Sequence, residues 1–413
     1  MESKWVSIPL GEIAENISRP FDFDGKDQVI FINTGDVLEG HFLHRNYSEV
    51  HGLPGQAKKA LEFKDILYSE IRPGNKRYAF IDFEPKDYVV STKFMVVKAK
   101  ERVLPEYLYL VLTDKQCENE FKMIAESRSG TFPQITFDAV SYYPVAVPSL
   151  AEQKRIVSFV GAIDRKLNLL KQINETLEAM ARAIFKSWFV DFDPVRAKSE
   201  GRDTGLPSDI AALFPDSFVD SELGKIPKGW SIGVVDDFAD LLSGKRPDIR
   251  YNEISVEASV PLWGGNGPMA FVPEALFNDP ILLTGRVGTL GSVFRITMPC
   301  WPSDNTLVVK ARTPHAYEYL FLQLKRIDFA ALNRGSTQPL LTQTDLNAQP
   351  ILQPAASVLE SFHAFAMIFY AKIDEAERAS STLAIIRDSL LPKLMSGEID
   401  LQAAGLGRKG PAK

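Results

Sequence analysis

The sequence predicts an α+β protein in which two β-rich domains are joined by two long helices forming an antiparallel coiled coil, with an internal pseudo-two-fold repeat. Three observations carry this. A shift of 206 residues lays the second half on the first without a gap from 133 to 390, placing Pro133, Thr136, Pro144 and Pro148 on Pro339, Thr342, Pro350 and Pro354. Apolar residues recur every seven in both trailing segments, as a helical seam requires. Short strand-like runs separated by Gly, Pro and Asp fill both leading segments. Upstream of 133 the match continues with a drifting offset. Tyr107-x-Tyr109-Leu110 falls on Tyr317-x-Tyr319-Leu320, Val97-Lys98-Ala99 on Val309-Lys310-Ala311, Ile66-Leu67 on Ile281-Leu282, and Trp5 resembles Trp230. Insertions confined to the leading part suggest variable domains mounted on a fixed spacer.

The first domain spans 1–150. Its strand candidates are 29–32, 78–81 and 94–97, and a helix is expected from Pro105-Glu106 toward Phe121, because Pro and an acid suit a first turn. Residues 151–190 read as one helix, about 55 Å long at roughly 1.5 Å per residue. Its seam is Ile156, Ile163, Leu170, Leu177 and Ile184, with a second row at Val160, Leu167, Asn174 and Ala181. A linker rich in Asp, Pro, Ser and Gly follows over 191–221, then the second domain over 222–354, with strands at 281–283 and 307–309. The last helix occupies 355–400, with seam positions Phe362, Phe369, Ile373, Ala376, Leu383 and Leu390, and Gly397 is its expected stop. Residues 401–413 are expected to be a disordered tail. Asn174 and Ser380 interrupt the two seams at the same place. They are either tolerated polar residues or a buried polar site that fixes register at a cost in stability. Each helix is too long to hide its stripe on a small domain, so the simplest partner for each is the other.

Net charge is −6, with 45% hydrophobic and 24% charged residues. The acidic balance argues mildly against a general nucleic-acid coat but permits local basic faces. The start lacks a signal peptide's pattern and no apolar run would span a membrane, so a cytoplasmic location is expected. Cys117 and Cys300 are expected as thiols, not a disulfide.

The motifs of an enzyme are missing. There is no Gly-rich cofactor loop and no Asn/Asp-Pro-Pro-aromatic motif; Asp193-Pro194-Val195 lacks the second proline and the aromatic. Ser243-Gly244-Lys245-Arg246 lacks the rest of a P-loop, and the glycines of 285–291 do not have dinucleotide-binding spacing. Asp36 with Glu62-Phe63-Lys64 has no counterpart in the second copy. His41, His44 and His51 have no cysteine near them, so no metal site is expected. Polar loops recur instead. The first domain offers Arg72, Asn75, Lys76 and Arg77, then Arg128 and Thr131; the second offers Lys245, Arg246, Arg286, Thr289, Asn305, Arg334 and Gln338. Arg and Lys can pair with guanine edges or phosphates and Asn with adenine, while glycines let backbone approach a ligand. Arg72-Pro73-Gly74 and Arg286-Val287-Gly288 are read as matching loops.

Several segments together resemble the specificity subunit of type I restriction-modification systems. They are Ser129-Gly130-Thr131-x-Pro133-x-Ile135, Pro148-Ser149-Leu150-Ala151-Glu152-Gln153-x-x-Ile156-Val157, Ala183-Ile184-Phe185-Lys186-Ser187-Trp188-Phe189, and Leu390 through Ile399. The resemblance covers nearly the whole chain. It implies two target recognition domains joined by paired long helices, a chain that is not itself catalytic, and a split double-stranded DNA site. It also implies two methyltransferase subunits that bind S-adenosylmethionine, and motor-nuclease subunits that use ATP and magnesium. Pro354-Ala355-Ala356 departs from the family by lacking the Glu-Gln of the first copy. Other readings are a related system with a fused methylase-nuclease partner, a self-contained enzyme, and a coiled-coil scaffold that does not bind DNA.

Overall fold

The computed structural model describes residues 5–128, 131–222 and 224–401. The chain divides into two compact units, one formed by 1–169 with 379–413 and the other by 170–378. Each unit holds one β-rich domain and parts of both long helices, so the fold is α+β with a repeated β-rich domain.

The two domains share one framework. In the first, strands β1 (Ala14–Asn16), β2 (Ile66–Ser69), β3 (Tyr78–Phe80) and β4 (Phe94–Ala99) form a sheet in the order β1-β4-β2-β3. In the second, β5 (Ala239–Ser243), β6 (Ile281–Gly285), β7 (Val293–Ile296) and β8 (Thr306–Ala311) repeat that order as β5-β8-β6-β7. Register agrees from strand to strand but shifts one expected match, since Ile66 faces Val97 and Leu282 faces Val309, so Ile66 corresponds to Leu282 and not to Ile281. These strands are apolar on both faces because one face meets the helical side and the other a second sheet. A two-stranded antiparallel pair closes each domain before its long helix, with Pro9 opposite Pro144 and Val234 opposite Pro350. The domains differ in that second sheet, which is four-stranded in the first and three-stranded in the second.

Hydrogen bonding also corrects the match of Tyr107 with Tyr317. Tyr107 Oη donates to the carbonyl of Ala146 at 2.8 Å, and Tyr319, not Tyr317, donates to the corresponding carbonyl of Leu352. Pro105–Leu112 and Tyr317–Leu324 are therefore equivalent eight-residue helices, offset by 212. The helix expected from 105 to 121 is also broken. Thr113 Oγ1 caps the first segment on the carbonyl of Tyr109 at 2.8 Å, and Asp114 Oδ2 accepts from Gln116 N at 2.9 Å to start a second helix, Lys115–Arg128.

The long helices run Leu150–Phe189 and Ala356–Met395, each 40 residues, at the offset read from sequence. Their seams are buried or half-buried throughout: Ile156, Ile163, Leu170, Phe362, Ile373 and Ala376 are buried, while Asn174, Leu177, Ile184, Phe369, Ser380, Leu383 and Leu390 are half-buried. Asn174 buries its Oδ1 without a hydrogen-bond partner, a cost in stability. In the first unit Arg387 donates to Asp164 at 3.1 Å. In the second the Phe185 ring lies 6.0 Å from that of Phe362. Gly397, at φ +77°, ends the last helix as expected.

The segment expected as a linker is folded. It carries short helices at Asp193–Ser199 and Ser208–Ala211 and a strand at Phe218–Ser221, and it buries Val195 and Phe214 in the second unit's core. Its polar composition concealed these few apolar anchors. Leu401 is buried in the first unit's core, while the rest of the expected tail, 402–413, and Ser129-Gly130 lie outside the described residues.

Candidate nucleic-acid interface

The framework presents one recurrent loop from each domain. After β2 the chain makes a bridge from Ile71 to Gln134, and the N–H of Arg72 donates to the carbonyl of Pro133 at 2.9 Å. After β6 the bridge runs from Val287 to Leu340, and the N–H of Gly288 donates to the carbonyl of Pro339 at 3.0 Å. Pro133 and Pro339 are the prolines that the repeat superimposes. Arg72 therefore corresponds to Gly288, and Arg286 corresponds to Glu70. The expected matching of Arg72 with Arg286 is off by two residues, because insertions upstream change the offset and two arginines of like identity then stand at different backbone positions.

In the first domain, Arg72, Asn75 and Lys76 share one groove of about 1580 Å³ with Lys115, Asn119 and Lys122. Arg72 and Lys76 hold left-handed backbone at φ 46° and 54°, which turns the short 3-10 helix between them toward the groove. Lys76 pairs with Glu39 at 2.9 Å. Arg77 does not join the set, since its guanidinium donates to the carbonyls of Gly35 and Val37 at 3.1 and 2.8 Å. Arg128 reaches Thr136 Oγ1 at 3.3 Å, and Thr131 is exposed, but neither lines the groove. Lys115, Asn119 and Lys122 are not among the residues the sequence singles out, although their spacing of four and three marks one helix face. Glu70 lies between Lys59 and Lys93; burial raises its carboxyl, opposed by those two lysines, and burial lowers Lys59.

In the second domain, Arg286 Nη1 donates to Ser243 Oγ at 3.4 Å, and Gln343 Nε2 donates to the same oxygen at 3.1 Å. Lys245 follows two residues after Ser243, held by a bond from its N–H to the carbonyl of Pro302 at 2.9 Å; it and Arg246 are exposed. The carbonyl of Asn305 accepts from the N–H of Arg286 at 2.8 Å, so Asn305 is fixed at the loop's base. Thr289 and Gln338 are exposed beside it, with a Cβ at Gly288 falling 3.7 Å from Gln338 Nε2. Arg334 is engaged elsewhere, in a two-pronged pair with Asp345 at 2.7 and 3.0 Å. That pair and the Thr342 hydroxyl lower the Asp345 carboxyl to about 2. Ser243 and Gln343 were not singled out from sequence, because Gln343 meets the loop only through the fold.

Gln153 of the Glu-Gln motif has a structural role. It is fully buried, donates to the carbonyls of Arg102 and Pro148 at 3.1 and 3.0 Å, and accepts from Leu104 N at 2.8 Å. At the same offset the second copy has the buried Leu359. Among the described residues no cluster of His, Cys, Asp and Glu could hold a metal, and no helix is long and apolar enough to cross a membrane.

A duplicated β-rich domain with a polar loop at a fixed site, mounted on long helices, defines a two-fold repeat protein of α+β class. The family model for the type I restriction modification DNA specificity domain matches residues 2–179 and 227–358. The HindI type I restriction enzyme specificity subunit of Haemophilus influenzae is 35% identical, with 96% of this chain and 100% of that protein covered. The MjaIX specificity subunit of Methanocaldococcus jannaschii is 26% identical over 75% of this chain and 72% of its own length. The crystal structure of a type I restriction-modification S subunit from M. genitalium shares the fold, with a TM-score of 0.60 at 14% identity over 95% of this chain and 96% of that one. The chain belongs to the family of type I restriction-modification specificity subunits.

Proposed function

We propose that this chain is a non-catalytic, cytoplasmic subunit that reads a bipartite double-stranded DNA site, one half with each β-rich domain. In this reading the two long helices pair as an antiparallel coiled coil and act as the spacer. The chain positions two methyltransferase subunits, which bind S-adenosylmethionine, and motor-nuclease subunits, which use ATP and magnesium. One observation carries the reading: an identical hydrogen-bond frame presents different side chains at the same place, Glu70 and Arg72 in one domain, Arg286 and Gly288 in the other. A constant frame with variable polar groups suits base readout, in which donors and acceptors must change while geometry stays fixed. The helix contacts of Arg387 with Asp164 and of Phe185 with Phe362 support the antiparallel pairing.

The test is selection of duplexes from a random DNA library by the purified full chain, with and without methyltransferase subunits, followed by mapping of methylated adenines. Two short half-sites separated by an unspecified spacer are expected. Selection without sequence preference, or cleavage by the purified chain alone, would overturn the reading.

A further inference from the structure

The two domains are fastened to the helices differently. In the second unit, Arg295 on β7 reaches the last helix. Its side chain is 9% exposed, it forms an ion pair with Asp374, and it donates to the carbonyl of Tyr370 at 3.2 Å. Its guanidinium stands 4.6 Å from the Tyr370 ring centroid, and Thr297 Oγ1 adds a bond to Asp374 Oδ2 at 3.2 Å. Lys325 pairs with Glu178 of the central helix at 2.8 Å. The domain is thus tied to both helices by charge-assisted contacts that have fixed directions.

Sheet register and helix offset identify the counterparts in the first unit. Phe80, opposite Ile66, stands where Arg295 stands opposite Leu282. Asn168 and Asp164 stand where Asp374 and Tyr370 do, and Thr113 replaces Lys325. None of these can rebuild the ion pairs, and all four line the open groove. Burial follows the same division. The second unit's core continues along its helix to Tyr370 and Ile373, whereas in the first unit it reaches only Ile156 and Val160 on the central helix.

We propose that Arg295, acting through Asp374, is a positioning residue that fixes the angle of the second recognition domain on its helices and so sets how strictly the second half-site is spaced. This rests on the bipartite reading above. The pair touches no candidate DNA-binding residue, so breaking it should leave the bases read unchanged and loosen only where they are read.

The experiment uses full-length protein with its methyltransferase subunits and duplexes whose spacers are one base pair shorter or longer than the preferred length. A wild-type complex with no bipartite preference would refute the functional reading and is scored separately. Given a wild-type preference, Asp374→Asn should raise methylation at the off-length sites roughly tenfold relative to the preferred one, with both half-sites unchanged. The charge exchange Arg295→Asp with Asp374→Arg should restore strict spacing. Unchanged strictness in Asp374→Asn, loss of the second half-site at every spacing, or an exchange as lax as the single change would overturn the proposal.

Discussion

Glu70 and Arg286 occupy the same backbone position in the two domains. Each donates its N–H to the strand beside it, to the carbonyl of Lys93 at 2.9 Å or of Asn305 at 2.8 Å. Each carbonyl accepts from the residue two places after the shared proline, Ile135 at 2.9 Å or Leu341 at 2.8 Å. The same frame thus carries an acid in one domain and a base in the other, and the groove-lining Arg72 stands two residues beyond the position of Arg286.

That offset shapes the first prediction. Arg72→Ala should damage reading of one half-site and Arg286→Ala the other, each by about 1–3 kcal/mol of discrimination if the arginine meets a base edge. Binding titrations on duplexes mutated in one half at a time would show it. Equal weakening on all sequences, with a shallower salt dependence, would assign the residue to phosphate instead. Wild-type binding by both variants would remove the loops from the interface.

Gly285→Ala should act on the second domain alone. A Cβ there would lie 2.0 Å from the carbonyl oxygen of Thr289, so the loop that carries Arg286 must shift. Overpacking of this kind costs about 1–3 kcal/mol. Reading of the second half-site should fall while the first is retained, which selective methylation of half-site variants would detect. A full-affinity variant with an unchanged melting temperature would show that the close approach can relax.

The thiols should be inert in the folded chain. Cys117 and Cys300 are fully buried, and burial pushes Cys300 from 9.0 up to about 11 and Cys117 further. Because the folded values are raised, this contribution to stability is complete below the unfolded value, declines as pH rises above it, and is lost as pH passes through the folded values. Alkylation at pH 8 should label neither cysteine until denaturant is added, and the denaturation midpoint should fall from about pH 9 toward 11 less steeply in Cys300→Ala. Rapid native labelling would contradict the burial.

Spacer length should follow helix length. Inserting one heptad into both long helices adds about 10 Å at about 1.5 Å per residue, so the preferred site should gain unspecified base pairs while both half-sites stay the same. Genome-wide methylation mapping of such a variant reads this directly, and an unchanged spacer would sink the ruler.

The sequence carried the repeat and the long helices well, because a seven-residue period and a gapless offset are local properties. Both helices came out at 40 residues on that offset. Loop equivalence was not legible. Identity pairs Tyr107 with Tyr317 and Arg72 with Arg286, whereas partners far along the chain decide which backbone positions correspond. Arg77 misled for the same reason, since the carbonyls it caps lie about forty residues upstream. The break at Thr113-Asp114 was readable in principle, because both residue types favour helix caps.

The first unit is assembled from two distant stretches of chain, and this orders events during synthesis. Leu394 and Leu401, 1% and 2% exposed, complete a core whose other members lie between Ile8 and Val160. The second unit is continuous from 170 to 378 and has all its residues once that stretch has left the ribosome. From Leu169 to Leu394, about 225 residues at roughly 5–20 residues per second take about 11–45 s. The domain made first therefore waits longest for its final packing partners, and a truncation at the far end of the message strikes the unit encoded at its beginning.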